Sequence, residues 1–534
     1  MNCGSNYNSA ALRLALIAAL LKLISLPATA EVSNQALQLC EKLTAITPDR
    51  VLLQMPRPQG MTIKWRGSSD VLCLYSHDGE VEQALQAPLA DSHYEIALSG
   101  LKPDTHYRYS IGGKAVSDAM MFTTAPDYDA VPDDGNVRLL IFGDSGTAGE
   151  KDRQGSPEHE GEAEAVRDGY FKYAARTATQ DQLDLLVLLG DNAYPAGTDH
   201  EWQVSFFDVY PSILQQHPVV PTIGNHEMGF GIFNICPFME IDGCENGPVE
   251  VPLGGASQSS DPASYDGNGD GPDGTGPPYM DIFTLPTQAE LGGAASETEQ
   301  YFSMDYGIVH LVSLDSQLSV QDEAQRQAMQ QWLVKDLKRN QRPWTVVFFH
   351  HPPYSKGENH DSDLEDKEIM MREEFSKIFD AYGVDAVFSG HAHTYERSWY
   401  IGGHYGNSGS FDAKLHAEVD AQGEPLLGQG DDPYSKISRI TQKDDKVVYT
   451  VAGNAGHTTY RNPCREGQLY GCTKPDWLKH PAHRTFTPSE PYFQERGIAK
   501  IGSVVVTATS SELRSEFIDQ EGEVLDYFII QAKR

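Results

Sequence analysis

Five short apolar runs in this chain end in side chains able to bind a cation. Residues 138–143 (RLLIFG) lead into Asp144, and 183–190 (LDLLVLLG) lead into Asp191 and, three positions on, Tyr194. Residues 219–224 (VVPTIG) lead into Asn225-His226, 344–349 (WTVVFF) into His350-His351, and 384–390 (VDAVFSG) into His391-Ala392-His393. A lone Gly-Asp after a strand is usually a turn, and a lone His-x-His usually a surface pair. Five such endings in one chain form a set. Carboxylate, amide oxygen, phenolate and imidazole without thiolate are hard-to-borderline ligands, suited to iron, manganese or zinc. Gly143, Gly190, Gly224 and Gly390 precede these positions and permit the tight turns that let backbone and ligands close on one point.

Runs this short and this apolar read as strands buried on both faces. Helix-compatible stretches near 162–180, 201–216, 322–340 and 367–382 alternate with them, which predicts a layered α/β domain. In open α/β sheets, ligands bind outside the carboxyl ends of the strands, where these residues fall. The earlier grammar differs: from about 48 to 126, short alternating strands such as MTIKWRG, VLCLYSH and HYRYSIGG are separated by turn residues, as in a β-sandwich. LSGLKPDTHYRYSIG followed by FTTAP resembles the end of a fibronectin type III domain. The expected division is a leader at 1–30, a fibronectin type III-like domain at 31–126, a linker at 127–135 and the α/β domain at 136–534. Loose, Gly- and Asp-rich insertions are expected near 254–278 and 402–435.

The chain has 534 residues, 40% of them hydrophobic and 22% charged, so most of it can bury a core. Seventy-six acidic residues against 41 basic ones give −35, which argues against a nucleic-acid-binding module or binding to an anionic membrane by charge. An anionic substrate would need local positive charge, and bound metal could supply it. Arg13, the apolar run after it and Ala28-Thr29-Ala30 read as a secretory signal cleaved after Ala30, with a secreted or periplasmic product and no later membrane span. Removal of the leader leaves six cysteines, an even number that suggests disulfides. Close spacing suggests Cys236/Cys244 and Cys464/Cys472, with Cys40/Cys73 as the third pair, among fifteen connectivities. Within 266–274, Asp266, Asn268 and Asp270 precede Gly271 as in an EF-hand calcium loop. The twelfth position is Pro277 where a bidentate Glu is required, so an acidic surface loop is the favoured reading and calcium the lesser one. His457 is explained by a strand-end turn.

Taken in order, GDSG, GDNAY, GNHE, the VxxH of Val347 to His350, and GHAH within GHAHTYER resemble the five-block signature of the purple acid phosphatases. That family lies within the calcineurin-like metallophosphoesterases, whose fold is a layered β-sandwich flanked by helices. The resemblance implies a dinuclear centre: Asp144, Tyr194 and His393 on the first metal, Asn225, His350 and His391 on the second, and Asp191 bridging. Tyr194 implies Fe(III) at the first site, with Fe(II), Zn or Mn at the second. His226, and His360 ten residues after His350, are implied to contact the phosphoryl group or protonate the leaving group. His351 is expected to be a structural neighbour, and nothing in the sequence fixes roles for Glu396 and Arg397.

The implied activity is hydrolysis of small phosphomonoesters, at acidic pH, by attack of a metal-activated hydroxide. The alternatives are a phosphodiesterase or nucleotide hydrolase using the same site, and a secreted binding protein with a vestigial site. The last expects lost ligands, and all seven are present.

Overall fold

In a computed structural model, residues 34–533 are described apart from 43–45, 47, 91–92, 115–119, 150–158, 178, 180–182, 229–231, 235–249, 253–276, 358–359, 438–445, 459–473 and 488–491. The leader, the 266–274 loop, and Cys236, Cys244, Cys464 and Cys472 lie outside the described residues.

Residues 49–123 form two four-stranded sheets. Alternate side chains of each turn inward: Leu53, Ile63, Trp65, Ile96 and Leu98 from one meet Leu72, Leu74, Tyr107, Tyr109 and Phe122 from the other. The period-2 pattern of the sequence is thus a face-to-face sandwich. Cys40 and Cys73 form a disulfide that ties the first helix, Asn34–Cys40, to the strand Val71–Tyr75. The strand Asp49–Arg57 serves two cores, since Leu53 packs inside the sandwich while Leu52 and Met55 join the larger core beyond it. At the same junction Arg50 and Arg66 each donate to Asp199 at 2.7 Å.

The larger unit is built on a seven-stranded and a six-stranded sheet. In the first, Val137–Phe142, Leu185–Leu188 and Val219–Pro221 run parallel, Gly502–Ala508 pairs antiparallel with Val137–Phe142, and the next two C-terminal strands follow as an antiparallel meander. In the second, Val309–Ser313, Trp344–Phe348, Ala386–Ser389 and Val447–Ala452 are parallel, with antiparallel strands at both edges. Continuous apolar runs are required here because both faces are covered. Val346, Phe348, Ala386, Phe388 and Val448 face the core shared with the first sheet. Val347, Phe349, Val387 and Tyr449 face the other way, against Met329, Leu333 and Leu337 of the helix Glu323–Arg339 and against Phe375 and Phe379.

Two segments depart from the sequence expectation. Residues 201–216 are not one helix: they hold a short helix, Asp199–Trp202, a wider turn, Gln203–Phe207, and a second short helix that restarts at Pro211. Proline has no N–H to continue the ladder and suits a first turn. Residues 402–435 are tied down more than their composition suggests. They contain the helix Ala413–His416 and end in fully buried Tyr434, which begins a strand parallel to the C-terminal one.

Candidate metal centre

The parallel strands of both sheets deliver the predicted residues to one place, and the backbone is strained where they arrive. Asp144, Asp191 and His391 have φ of 56°, 55° and 69°. Left-handed backbone is costly for residues with a Cβ and is stored at functional sites. The glycines beside them leave the room this needs: a Cβ on Gly224 would lie 2.1 Å from Asp191 Oδ1, and one on Gly390 would lie 2.4 Å from Asp144 Oδ2.

Two sub-clusters share Asp191. In the first, the Tyr194 hydroxyl lies 3.0 Å from Asp144 Oδ1, 3.0 Å from His393 Nε2 and 3.4 Å from Asp191 Oδ2. In the second, His350 Nε2 lies 3.0 Å from Asn225 Oδ1 and 3.1 Å from Asp191 Oδ2. Ligand atoms of Asp144, Asp191 and His350 lie within 4.8 Å of one another, as do those of His350, His351 and His391. The tautomer of His350 follows from its surroundings. Its Nδ1 lies 2.8 Å from the carbonyl oxygen of Leu189, which can only accept, so Nδ1 carries a hydrogen and Nε2 is the nitrogen that would bind a metal.

The donor set fits a metal on physical grounds. Asp144 and Asp191 are almost wholly buried, and among the described residues their ion pairs run to histidines and to no lysine or arginine. Burying such charge is unfavourable unless it is paired or coordinates metal. Burial pushes the Asp191 carboxyl up, but His350 and His226 outweigh this and hold it below the usual carboxylate range.

The two candidate catalytic histidines flank this cluster. The backbone N–H of His226 donates to Asp191 Oδ1 at 2.8 Å, and its Nδ1 donates to the Pro195 carbonyl at 2.7 Å. That leaves Nε2 3.8 Å from Asp191 Oδ2, with the ring 4.0 Å from that of Tyr194. His360 lies with its ring centre 3.7 Å from that of His391. His351 is held by Ser316, with the serine hydroxyl 3.0 Å from Nδ1, and its ring lies 4.5 Å from His391. Arg397 and Glu396 belong to the scaffold. Arg397 pairs with Asp526 at 2.7 Å with both side chains fully buried, and Glu396 accepts from the Ser355 hydroxyl.

Three residues around the cluster were not singled out by sequence reasoning for the positions they take. Glu227 accepts three backbone N–H groups, those of Asp191, Asn192 and Gly224. Glu365 faces both His360 and His391. His457, read as a turn residue, places Nε2 2.6 Å from His393 Nδ1. The only signal for Glu227 was its place in GNHE; nothing local marked Glu365.

The domain that carries this cluster resembles known proteins. The model of the calcineurin-like phosphoesterase family matches residues 137–395. A probable purple acid phosphatase of Arabidopsis thaliana is 22% identical over 366 residues, covering 66% of this chain and 69% of that protein. A second Arabidopsis relative, named as a probable inactive purple acid phosphatase, is 24% identical over 351 residues, and the match spans 62% of this chain and only 49% of the relative. The solved purple acid phosphatase from yellow lupin (Lupinus luteus) seeds shares the fold, with a TM-score of 0.58 at 17% identity over 91% of this chain and 75% of that one. Residues 137–395 thus form a calcineurin-like metallophosphoesterase domain, a kind of phosphatase characterised by dinuclear metal centres, and the relatives of the chain include purple acid phosphatases.

Proposed function

We propose that this protein is an exported phosphomonoesterase working on the acid side of neutrality through two metal ions. Asp144, Tyr194 and His393 would hold the first, Asn225, His350 and His391 the second, and Asp191 both. The carrying observation is the sharing of Asp191, whose Oδ2 lies 3.4 Å from the Tyr194 hydroxyl and 3.1 Å from His350 Nε2. The phenol of Tyr194 favours Fe(III) in the first position, while the imidazole-rich second set suits Fe(II), Zn or Mn. Export is supported by the leader-like sequence before the first described residue and by the Cys40–Cys73 disulfide, which suits an oxidising compartment. Residues 31–126 would form a fibronectin type III-like domain in front of the metallophosphoesterase domain at 136–534.

When bound, the metals supply an acidified water and neutralise the phosphoryl oxygens. The chain's own residues do the rest. His226, with Nδ1 fixed on Pro195, turns Nε2 toward the ester to hold a phosphoryl oxygen. His360 stands beside the second set of ligands, where it can give a proton to the leaving oxygen. A vestigial site is disfavoured because all seven donors are present, even though the relatives include proteins named as probably inactive.

The test is phosphate release from p-nitrophenyl phosphate beside bis(p-nitrophenyl) phosphate, across pH. Turnover of the monoester with an acid-side optimum supports the proposal. Preference for the diester would move the protein to a phosphodiesterase or nucleotide hydrolase. No turnover with either, despite bound metal, would overturn it.

A further inference from the structure

We infer that Glu365 is a positioning residue that couples leaving-group protonation to the second metal site, by holding His360 and His391 on the two oxygens of one carboxylate. The inference rests on the function proposed above.

Glu365 Oε1 lies 2.8 Å from His360 Nδ1, and Oε2 lies 3.1 Å from His391 Nε2. An ionised carboxylate only accepts, so each facing nitrogen carries its hydrogen toward Glu365. The consequence is opposite for the two rings. His391 keeps the lone pair of Nδ1 for a metal, in the carboxylate–histidine–metal arrangement that orients a ligand and raises its basicity. His360 keeps Nε2 for the ester. The carboxylate behind Nδ1 fixes the tautomer and orientation of the His360 ring, as the aspartate of a serine-protease triad does for its histidine.

The step balances on this chain's own groups. As the P–O bond to the leaving group breaks, the proton on His360 Nε2 passes to the leaving oxygen. The electron pair of that N–H stays on the ring, which ends neutral with Nδ1–H still on Glu365.

The carboxylate is well placed to hold both rings in register. Glu365 caps the helix Asp366–Met370, its carbonyl accepts from the Ile369 N–H at 3.0 Å, and its own N–H donates to the Asp361 carbonyl at 3.1 Å. The helical stretch that follows buries Met371, Phe375 and Phe379 against the six-stranded sheet. The two imidazoles are thus referenced to the same rigid element that backs the metal-bearing strands.

Two variants test this, Glu365→Ala and Glu365→Gln; the glutamine keeps size but can accept only one of the two bonds. Thermal melts first establish that each is folded. Zinc is then titrated into chelator-treated wild type and variants, and kcat is compared for p-nitrophenyl phosphate, whose leaving group needs no proton, and for glycerol 2-phosphate, whose alkoxide does. Weaker binding of the second zinc by about 10- to 100-fold is expected, with the first unchanged. The alkyl ester is expected to lose about 100-fold in kcat and the aryl ester about 10-fold or less. Unchanged binding of the second zinc, or equal losses for the two esters, overturns the inference. If wild type hydrolyses neither ester the proposed function itself fails, and the zinc titration alone then decides the contact with His391.

Discussion

Glu227 Oε2 accepts the backbone N–H of Asp191 at 2.8 Å, so the turn after one strand is pinned by a side chain from the turn after the next. The same carboxylate takes the N–H groups of Asn192 at 2.6 Å and Gly224 at 2.7 Å, and Glu227 is 1% exposed. The left-handed backbone at Asp191 persists because this carboxylate over-determines it. Glu227→Ala would orphan three buried donors, at about 1–3 kcal/mol each. The expected outcome is a loss of about 3 kcal/mol or more in urea unfolding, with a smaller loss for Glu227→Gln. A loss below about 1 kcal/mol for the alanine variant would mean the turns hold themselves.

Tyr194→Phe removes the phenol oxygen that lies 3.0 Å from both Asp144 and His393 while keeping the ring against His226. The oxidised, iron-loaded wild type should show a visible charge-transfer band, and the variant should lack it at unchanged thermal stability. A colourless wild type would withdraw ferric iron and favour zinc or manganese.

The Cys40–Cys73 bridge closes a segment of 33 residues. On loop entropy alone, such a closure stabilises by about 3–4 kcal/mol. Unfolding followed by fluorescence, with and without reductant and with metals retained, should show a decrease of that order, and Cys40→Ala should show it without reductant. No change in either would mean the bridge does not restrain the unfolded chain.

Asp184 gives a pH dependence away from the metals. Burial pushes its carboxyl up to about 7, although it accepts the Arg138 N–H at 2.7 Å and the Tyr306 hydroxyl at 3.0 Å. Its ordinary value is 3.8. Between about 4 and 7 the folded protein therefore keeps a proton that the unfolded chain has released, and stability falls as pH rises through that window. Asp184→Asn should flatten this fall, read as the difference in melting temperature between pH 5 and pH 7.5. An unchanged difference would contradict the assignment.

The residues of the candidate centre were legible because each sits at the end of an apolar run, a signal carried within about ten residues of chain. Asp144, Asp191, Tyr194, Asn225, His350, His391 and His393 converge as that pattern implied, with His226 and His360 beside them. Glu365 carried no such signal, and Glu227 only its place in GNHE. Their roles are contacts across 26 residues to His391 and 36 to Asp191, and locally each is one acid in a polar turn. Sheet order was equally hidden. The strand Gly502–Ala508 pairs with Val137–Phe142 across most of the domain, and its apolar run Val504-Val505-Val506 says only that it is a buried strand. Tyr434 shows the limit of composition, since a Gly- and Asp-rich surround does not reveal one aromatic that reaches the core.

Asp191 carries the central claim, because only a shared carboxylate turns two sets of ligands into one centre. Metal content and p-nitrophenyl phosphate turnover, measured together for wild type and Asp191→Ala, test it most directly. Two metal ions per wild-type chain with acid-side turnover, and loss of both metals and activity in the variant, is the predicted result. A variant that keeps substantial turnover, or a wild type that binds one metal with full activity, would contradict it.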